Sequence, residues 1–201
     1  MSQHSVVNGG PVFVPDIPLE EPFDDYFLSS LTPSDFPRLV DLNNNTDLSR
    51  ILFNPPYPYT LQDAQWFHDN RAHAPVPGFP DHHECWIIRC KSQDGILVGI
   101  CSTRLAPGAP AGRLTVGYFV APEFRGKGIV PVVVKEVCRQ FPGATFDAEI
   151  EEGNTSSHKV MDKCGFTKLE GYVREQKWPD SKGGDVRKLW KFVKPASSGS
   201  T

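Results

Sequence analysis

Residues Pro122 to Pro131, PEFRGKGIVP, combine residue types and spacing that point at a ligand. Gly126 and Gly128, one residue apart, let the backbone turn sharply and approach a bound group with no Cβ in the way. After them Ile129, Val130, Val133, Val134, Val137 and Phe141 recur at helical spacing, with Lys135, Glu136, Arg139 and Gln140 on the other side. A helix starting at such a turn aims its unpaired N–H groups and its positive dipole end into it. The guest that suits those groups is a phosphate or pyrophosphate. A glycine pair in a turn commonly holds nothing, so the elements around it carry the argument.

The turn follows Leu114–Ala121, an uncharged, β-branched and aromatic run that suits a strand buried on both faces and ends at Pro122. Pro131-Val-Val-Val is poor helix material and could be strand. Pro131 falls in the first helical turn, where its missing N–H costs little, and the 3.6-residue period runs past it, which favours the helix.

Upstream, Phe23–Leu31 reads as a first strand. Thr32-Pro-Ser-Asp opens a helix that carries Phe36, Leu39 and Val40 and is halted by Asn43-Asn-Asn. Asn54–Tyr59 is a proline-stiffened connector, Thr60 with Asp63 caps a second helix through His68, and Pro75–His83 reads as a loop. Cys85–Cys90 and Ile96–Leu105 form strands joined through Ser92-Gln-Asp-Gly. Pro107-Gly-Ala-Pro leads on to the central strand.

Downstream, Ala144–Ile150 returns as a strand beside the central one, which makes a βαβ crossover. Asn154–Cys164 is a helix with Asn154, Ser157, Met161 and Cys164 on one side. Phe166–Glu175 and Val186–Val193 are two further strands. Residues 1–22 read as an irregular arm, 23–194 as one domain and 195–201 as a flexible tail.

Arg125-Gly-Lys-Gly-Ile-Val behind an apolar strand resembles the acetyl-CoA-binding signature of the GNAT N-acetyltransferase superfamily: arginine or glutamine, two residues, glycine, one residue, glycine or alanine. Arg125 and Gly128 match it and Val130 departs. Asn154-Thr-Ser-Ser-His-Lys-Val-Met-Asp-Lys-Cys-Gly-Phe resembles the superfamily's next motif, an asparagine opening a helix that ends in Gly-Phe and flanks the pantetheine arm. Pro58-Tyr-Thr with Asp63-Ala64, Gly117-Tyr118 followed by Ala121-Pro-Glu, and Glu170-Gly-Tyr-Val-Arg-Glu are similar to the branch of bacterial ribosomal-protein N-terminal acetyltransferases.

The resemblance implies an α/β (α+β) acetyltransferase fold from about Phe23 to Val193, a mixed central sheet of about seven strands flanked by four helices. It implies acetyl-CoA as co-substrate, met by Phe119, Val120, Arg125, Gly126, Lys127, Gly128, Ile129, Val130, Asn154 and Ser157. The acceptor it implies is a primary amine, of a protein N-terminus or a small molecule.

Acetyl transfer to an amine sets three chemical demands. The amine is mostly protonated near neutral pH, so a group must accept a proton. Charge develops on the carbonyl oxygen and is met by N–H donors. The departing thiolate gains from a nearby proton donor. By the resemblance, Glu175 is the base and Ser157 assists the thiolate, because the tyrosine that many members carry seven after the motif asparagine is Met161 here. Glu175 equally suits a solvated strand end paired with Arg174, and Ser157 a capping-turn hydroxyl. Glu149, on the strand beside the co-substrate, is a second base or an ion-pair partner. His82, His83 and Glu84 precede a strand edging the acceptor site. Tyr57, Tyr59, Trp66 and Phe67 either wall an acceptor pocket or pack a helix onto the sheet.

Composition limits the alternatives. A chain of 201 residues with a formal charge of −3 and no long basic run does not suit nucleic acid as main partner. No apolar run approaches the roughly 18 residues of a membrane span, and the polar N-terminus does not read as a secretory signal. Five cysteines without a C-x-x-C pair fit a reducing, cytoplasmic setting, and the six histidines form no metal-ligand spacing. The expected assembly is a monomer or homodimer. The runner-up is a non-catalytic acyl-CoA-binding regulatory module; a nucleotide-binding protein is a weaker alternative, against which the missing GK[ST] ending of a P-loop counts strongly.

Overall fold

The computed structural model describes residues 11–106 and 108–196. Residues 1–10 of the arm, Pro107 and residues 197–201 of the tail lie outside the described residues. In chain order the strands are β1 (Ile17–Pro18), β2 (Tyr26–Ser29), β3 (Pro75–Val76), β4 (Phe79–His83), β5 (Cys85–Cys90), β6 (Ile96–Leu105), β7 (Arg113–Val120), β8 (Thr145–Glu151), β9 (Thr167–Lys177) and β10 (Val186–Lys194). The helices are α1 (Phe36–Asn44), α2 (Thr46–Ile51), α3 (Leu61–Phe67), α4 (Ile129–Arg139) and α5 (Thr155–Lys163). Eight strands form one sheet in the order β1-β2-β5-β6-β7-β8-β10-β9, with β3 and β4 paired apart from it.

The expected mixed sheet is present, with one strand more than the seven expected and five helices rather than four. The extra strand is β1, which lies in the arm read as irregular and pairs antiparallel with β2. The extra helix is α2. Asn43-Asn-Asn does stop α1, but the Asn45 side chain then accepts from the N–H groups of Asp47 and Leu48 and so opens a new helix. The segment Pro75–His83, read as a loop, is the β3–β4 hairpin. The helix expected to end at His68 widens into a π turn over His68–Ala72.

The central unit follows its sequence closely. Gly126 and Gly128 adopt φ of 74° and 80°, the left-handed region that glycine reaches without a Cβ penalty. Gly128 caps α4, whose Ile129, Val133, Val134 and Val137 are buried against the sheet. β7 is antiparallel to β6 from Gly99 opposite Val120 to Leu105 opposite Leu114. With β8 it is parallel, as the crossover requires, but the ladder covers only Arg113–Thr145, Leu114–Phe146 and Thr115–Asp147. Beyond Thr115 and Asp147 both strands run on unpaired with each other, which opens a crevice at their carboxyl ends. That is where ligands enter open α/β sheets.

Side-chain alternation divides the sheet into two faces. Tyr118 reaches Ser157 of α5, and Trp190 stacks on His158, so these side chains mark the face covered by α4 and α5. Arg89 binds Asp35 just ahead of α1, which marks the face of α1–α3. By register, Ser102, Arg104, Thr115, Asp147 and Glu149 lie on that second face.

Candidate active site

The turn at the mouth of the crevice presents backbone, not side chains. Among the described residues, the N–H groups of Gly126, Lys127 and Gly128 donate to no turn, loop or cap acceptor. Those of Ile129 and Val130 open α4, where no earlier carbonyl is in register. Five successive donors at a helix N-terminus form a concave anion nest. A Cβ built at Gly126 would meet nothing within 4 Å, and one at Gly128 only the Phe23 ring at 3.4 Å, so the turn is open. Arg125 and Lys127 are exposed beside it, the Lys127 ammonium 4.6 Å from the Phe124 ring centroid. Ile129 is buried and faces the core, while Phe119, Val120 and Val130 are half-buried near the mouth. The nest and these residues fit a pyrophosphate with an extended arm descending between β7 and β8.

On the α5 flank, Asn154 caps its helix. Its Oδ1 accepts from the Ser157 N–H at 3.1 Å and the Ser156 hydroxyl at 2.9 Å, while its Nδ2 has no protein partner among the described residues. An amide held by its oxygen with two donors free can serve an amide-bearing ligand arm. Ser157 is half-buried in the first turn of α5. Its carbonyl accepts from the Tyr118 hydroxyl at 3.4 Å.

Tyr118 was visible in the sequence only as part of Gly117-Tyr118. The structure brings its hydroxyl to the Ser157 carbonyl in the first turn of α5, near the fully buried Met161. Burial pushes the Tyr118 hydroxyl well above the ordinary tyrosine range, so it stays a proton donor. The signal that could have found it is a tyrosine inside the central strand, three residues past the end of the β7–β8 ladder.

The two glutamates proposed as bases separate. Glu149 stands on β8, on the α1–α3 face of the crevice, where its Oε1 accepts from Tyr172 at 2.8 Å and Arg174 Nε at 3.1 Å, and its Oε2 from Arg174 Nη2 at 2.6 Å. Glu175 is one residue beyond Arg174 and points to the opposite face. It is exposed on the outermost strand, opposite Lys188 and level with Glu152, two strands outward from β8. Three inter-strand spacings from β7 amount to about 14 Å. Glu149 is thus ion-paired and at the crevice, while Glu175 stands three strands from β7 on the other face.

The other candidates divide as well. His83 is buried against Trp86, with ring centroids 4.6 Å apart, and burial pushes its pKa down to about 4. His82 packs on Phe141, on the α4 side. Neither faces the crevice floor. Glu84 is buried and bound by Arg71 at 2.6 Å; burial raises its pKa against the pull of Arg71. Tyr59 is buried in the core, its backbone held by the Asn44 side chain. Tyr57 is half-buried and Trp66 half exposed, so Tyr57 and Trp66 remain available to an acceptor.

Over the same face, Trp178 Nε1 donates to the Arg50 carbonyl at 3.0 Å and Lys182 Nζ to that of Leu52. Phe53 packs edge-on against Trp178, with ring centroids 5.2 Å apart. These contacts dock the end of α2 on the β9–β10 turn.

The family model for the acetyltransferase (GNAT) domain matches residues 26–167. Solved structures match nearly the whole fold. An acetyltransferase (GNAT family) from Bacillus anthracis superposes with a TM-score of 0.68 at 16% identity, over 90% of this chain and 98% of that one. The ribosomal L7/L12 alpha-N-protein acetyltransferase RimL, in complex with coenzyme A, gives 0.66 at 15%, over 92% and 100%. Spermidine N-acetyltransferase from Vibrio cholerae, in complex with CoA and spermine, gives 0.63 at 16%, over 85% and 95%. At these identities the likeness is one of fold. A search of curated protein sequences finds no match. Among the described residues, no helix is long and apolar enough to cross a membrane.

Proposed function

The chain belongs to the acetyltransferase (GNAT) family, as an N-acetyltransferase with acetyl-CoA as its co-substrate, and from that premise we propose that it acetylates a primary amine, of a protein N-terminus or a small molecule, by direct attack in a ternary complex. The observation that carries this reading is the end of the β7–β8 ladder at Thr115 and Asp147, with an anion nest at its mouth and Glu149 and Tyr118 on its two flanks. The nest takes the pyrophosphate, and Asn154 Nδ2 meets the arm. Glu149 accepts a proton from the amine as its nitrogen attacks the carbonyl carbon. Backbone N–H groups on the open edge of β7, between Val116 and Val120, meet the charge on the oxygen. The C–S bond breaks, and the thiolate takes a proton supplied by Tyr118 or, through its hydroxyl, Ser157.

All five cysteines are free and buried, which supports a reducing, cytoplasmic setting and a mechanism without an acetylated thiol. The test is CoA release from acetyl-CoA with a panel of small amines, amino acids and N-terminal peptides. Amine-dependent release supports the reading. Tight acetyl-CoA binding with no release on any amine would leave the regulatory module instead.

A further inference from the structure

Among the described residues, Arg89, Arg113, Arg174, Arg187 and Lys191 of β5–β10, on the α1–α3 face of the sheet, are paired, and Arg104 is not. Arg89 meets Asp35 at 2.7 Å, and Arg113 and Lys191 share Asp147 at 2.9 Å each. Arg174 meets Glu149 at 2.6 Å and Arg187 meets Glu151 at 3.2 Å. Arg104 of β6 lies on this face too, yet among the described residues it has no carboxylate within 4 Å and no side-chain hydrogen bond. Arg71, the nearby cation, is already held by Glu84. Arg104 is crowded but reachable. Lost hydration and the charge of Arg71 lower its pKa, Glu84 and Glu149 oppose that, and the residue remains exposed to solvent.

Its position excludes the pyrophosphate as partner. Arg104 is opposite Thr115, which forms the last β7–β8 pair with Asp147. From Thr115 to Val120 the strand climbs five residues, about 16 Å at 3.3 Å each, and the nest lies beyond that. Arg104 thus flanks the closed end of the crevice, one strand from β7 on the side away from β8, with Glu149 across from it. A guanidinium offers a rigid fork of donors that matches a carboxylate in bidentate fashion.

We infer that the acceptor amine carries a carboxylate, received by Arg104 while the amine lies toward Glu149. The carboxylate belongs either to a free amino acid or to an acidic residue at the start of a peptide. Acceptors that are only cationic, such as polyamines, are repelled from the same place. The inference rests on the acetyltransferase reading.

The experiment compares initial rates on matched acceptors: tyrosine with tyramine, arginine with agmatine, and peptides beginning Asp-Ala with those beginning Asn-Ala. The carboxylated member of at least one pair should have a KM lower by about 10- to 100-fold, the worth of one charge-assisted fork. Arg104→Gln should erase that preference through KM, raising it for the carboxylated member and, with the repulsion gone, lowering it for the decarboxylated amine, while calorimetric acetyl-CoA affinity stays as in the parent. Arg104→Lys should keep part of the preference. The amino-acid and peptide arms identify the source. CoA release without a carboxylate preference, or a preference that survives Arg104→Gln, overturns the inference and leaves the acetyltransferase intact. No release with any amine removes both.

Discussion

Glu149→Gln separates what this carboxylate does for the fold from what it does for the reaction. Glutamine keeps an oxygen for the Tyr172 hydroxyl and one bond from Arg174, and turns an NH2 group toward the other guanidinium nitrogen. The Glu149 side chain is 29% exposed and that of Arg174 42%, so the pair is screened and stabilises by about 0.2–1 kcal/mol. For a chain of this size that is a fall in Tm of no more than about 4 °C. Loss of a general base, by contrast, lowers kcat about 10²- to 10⁴-fold. Acetyl-CoA affinity should not change, since Glu149 is on the acceptor face. The rate should recover as pH rises toward the amine's own pKa, about 8 for an α-amine and about 10.4 for a lysine. Thermal melts followed by circular dichroism and CoA release at pH 7 and above measure both effects. A variant that turns over within about threefold of the parent at pH 7 would refute the role, a loss that small being outside the range for a base. Glu175→Gln, on the far face of the edge strand, should run at close to the parental rate.

Three further outcomes are expected. Asn154→Ser keeps a capping oxygen but loses the free Nδ2, so KM for acetyl-CoA should rise about 2- to 10-fold with Tm nearly unchanged; unaltered kinetics would leave Asn154 only its cap. Initial-rate patterns should show a ternary complex, because burial pushes the Cys138 thiol up to about 12 and the Cys164 thiol to about 11; a ping-pong pattern with a trapped acetyl-cysteine would contradict this. Stability should fall in acid through Asp35 and Asp147. Burial alone would raise both carboxyls, but Arg89 with Thr32, and Arg113 with Lys191, outweigh it and hold them below the usual range. Their contribution is therefore complete above the unfolded value of about 4 and is lost as pH falls through the lower folded values. Asp147→Asn should flatten part of that acid limb in urea titrations, and an unchanged limb would count against the assignment.

The central unit was legible because its signals are local. The β-branched run, two glycines forced to positive φ and an amphipathic helix all sit within 28 residues, and the structure reproduces them almost to the residue. Asn154 opens α5 as read, since a capping side chain acts on N–H groups two or three residues away. What was not legible depends on distant partners. Asn45 stops one helix and starts another, and only the N–H groups of Asp47 and Leu48 show which role prevails. Pro75–His83 looks like a loop until β3 and β4 meet. Parity separates the two glutamates, because Arg174, which holds Glu149, and Glu175 are neighbours in the chain and on opposite faces of the sheet. Tyr118 gained its place only from the folding of α5, whose first turn begins 37 residues later in the chain, over it.

The central claim is that acetyl-CoA seats its pyrophosphate on the backbone of Arg125–Val130. Its most direct test is amide NMR with hydrogen exchange during an acetyl-CoA titration. The largest shifts and new protection should fall at the N–H groups of Gly126, Lys127, Gly128, Ile129 and Val130, followed by the β7 edge from Val116 to Val120. Saturable binding that leaves those amides unshifted and exchanging as before would contradict it.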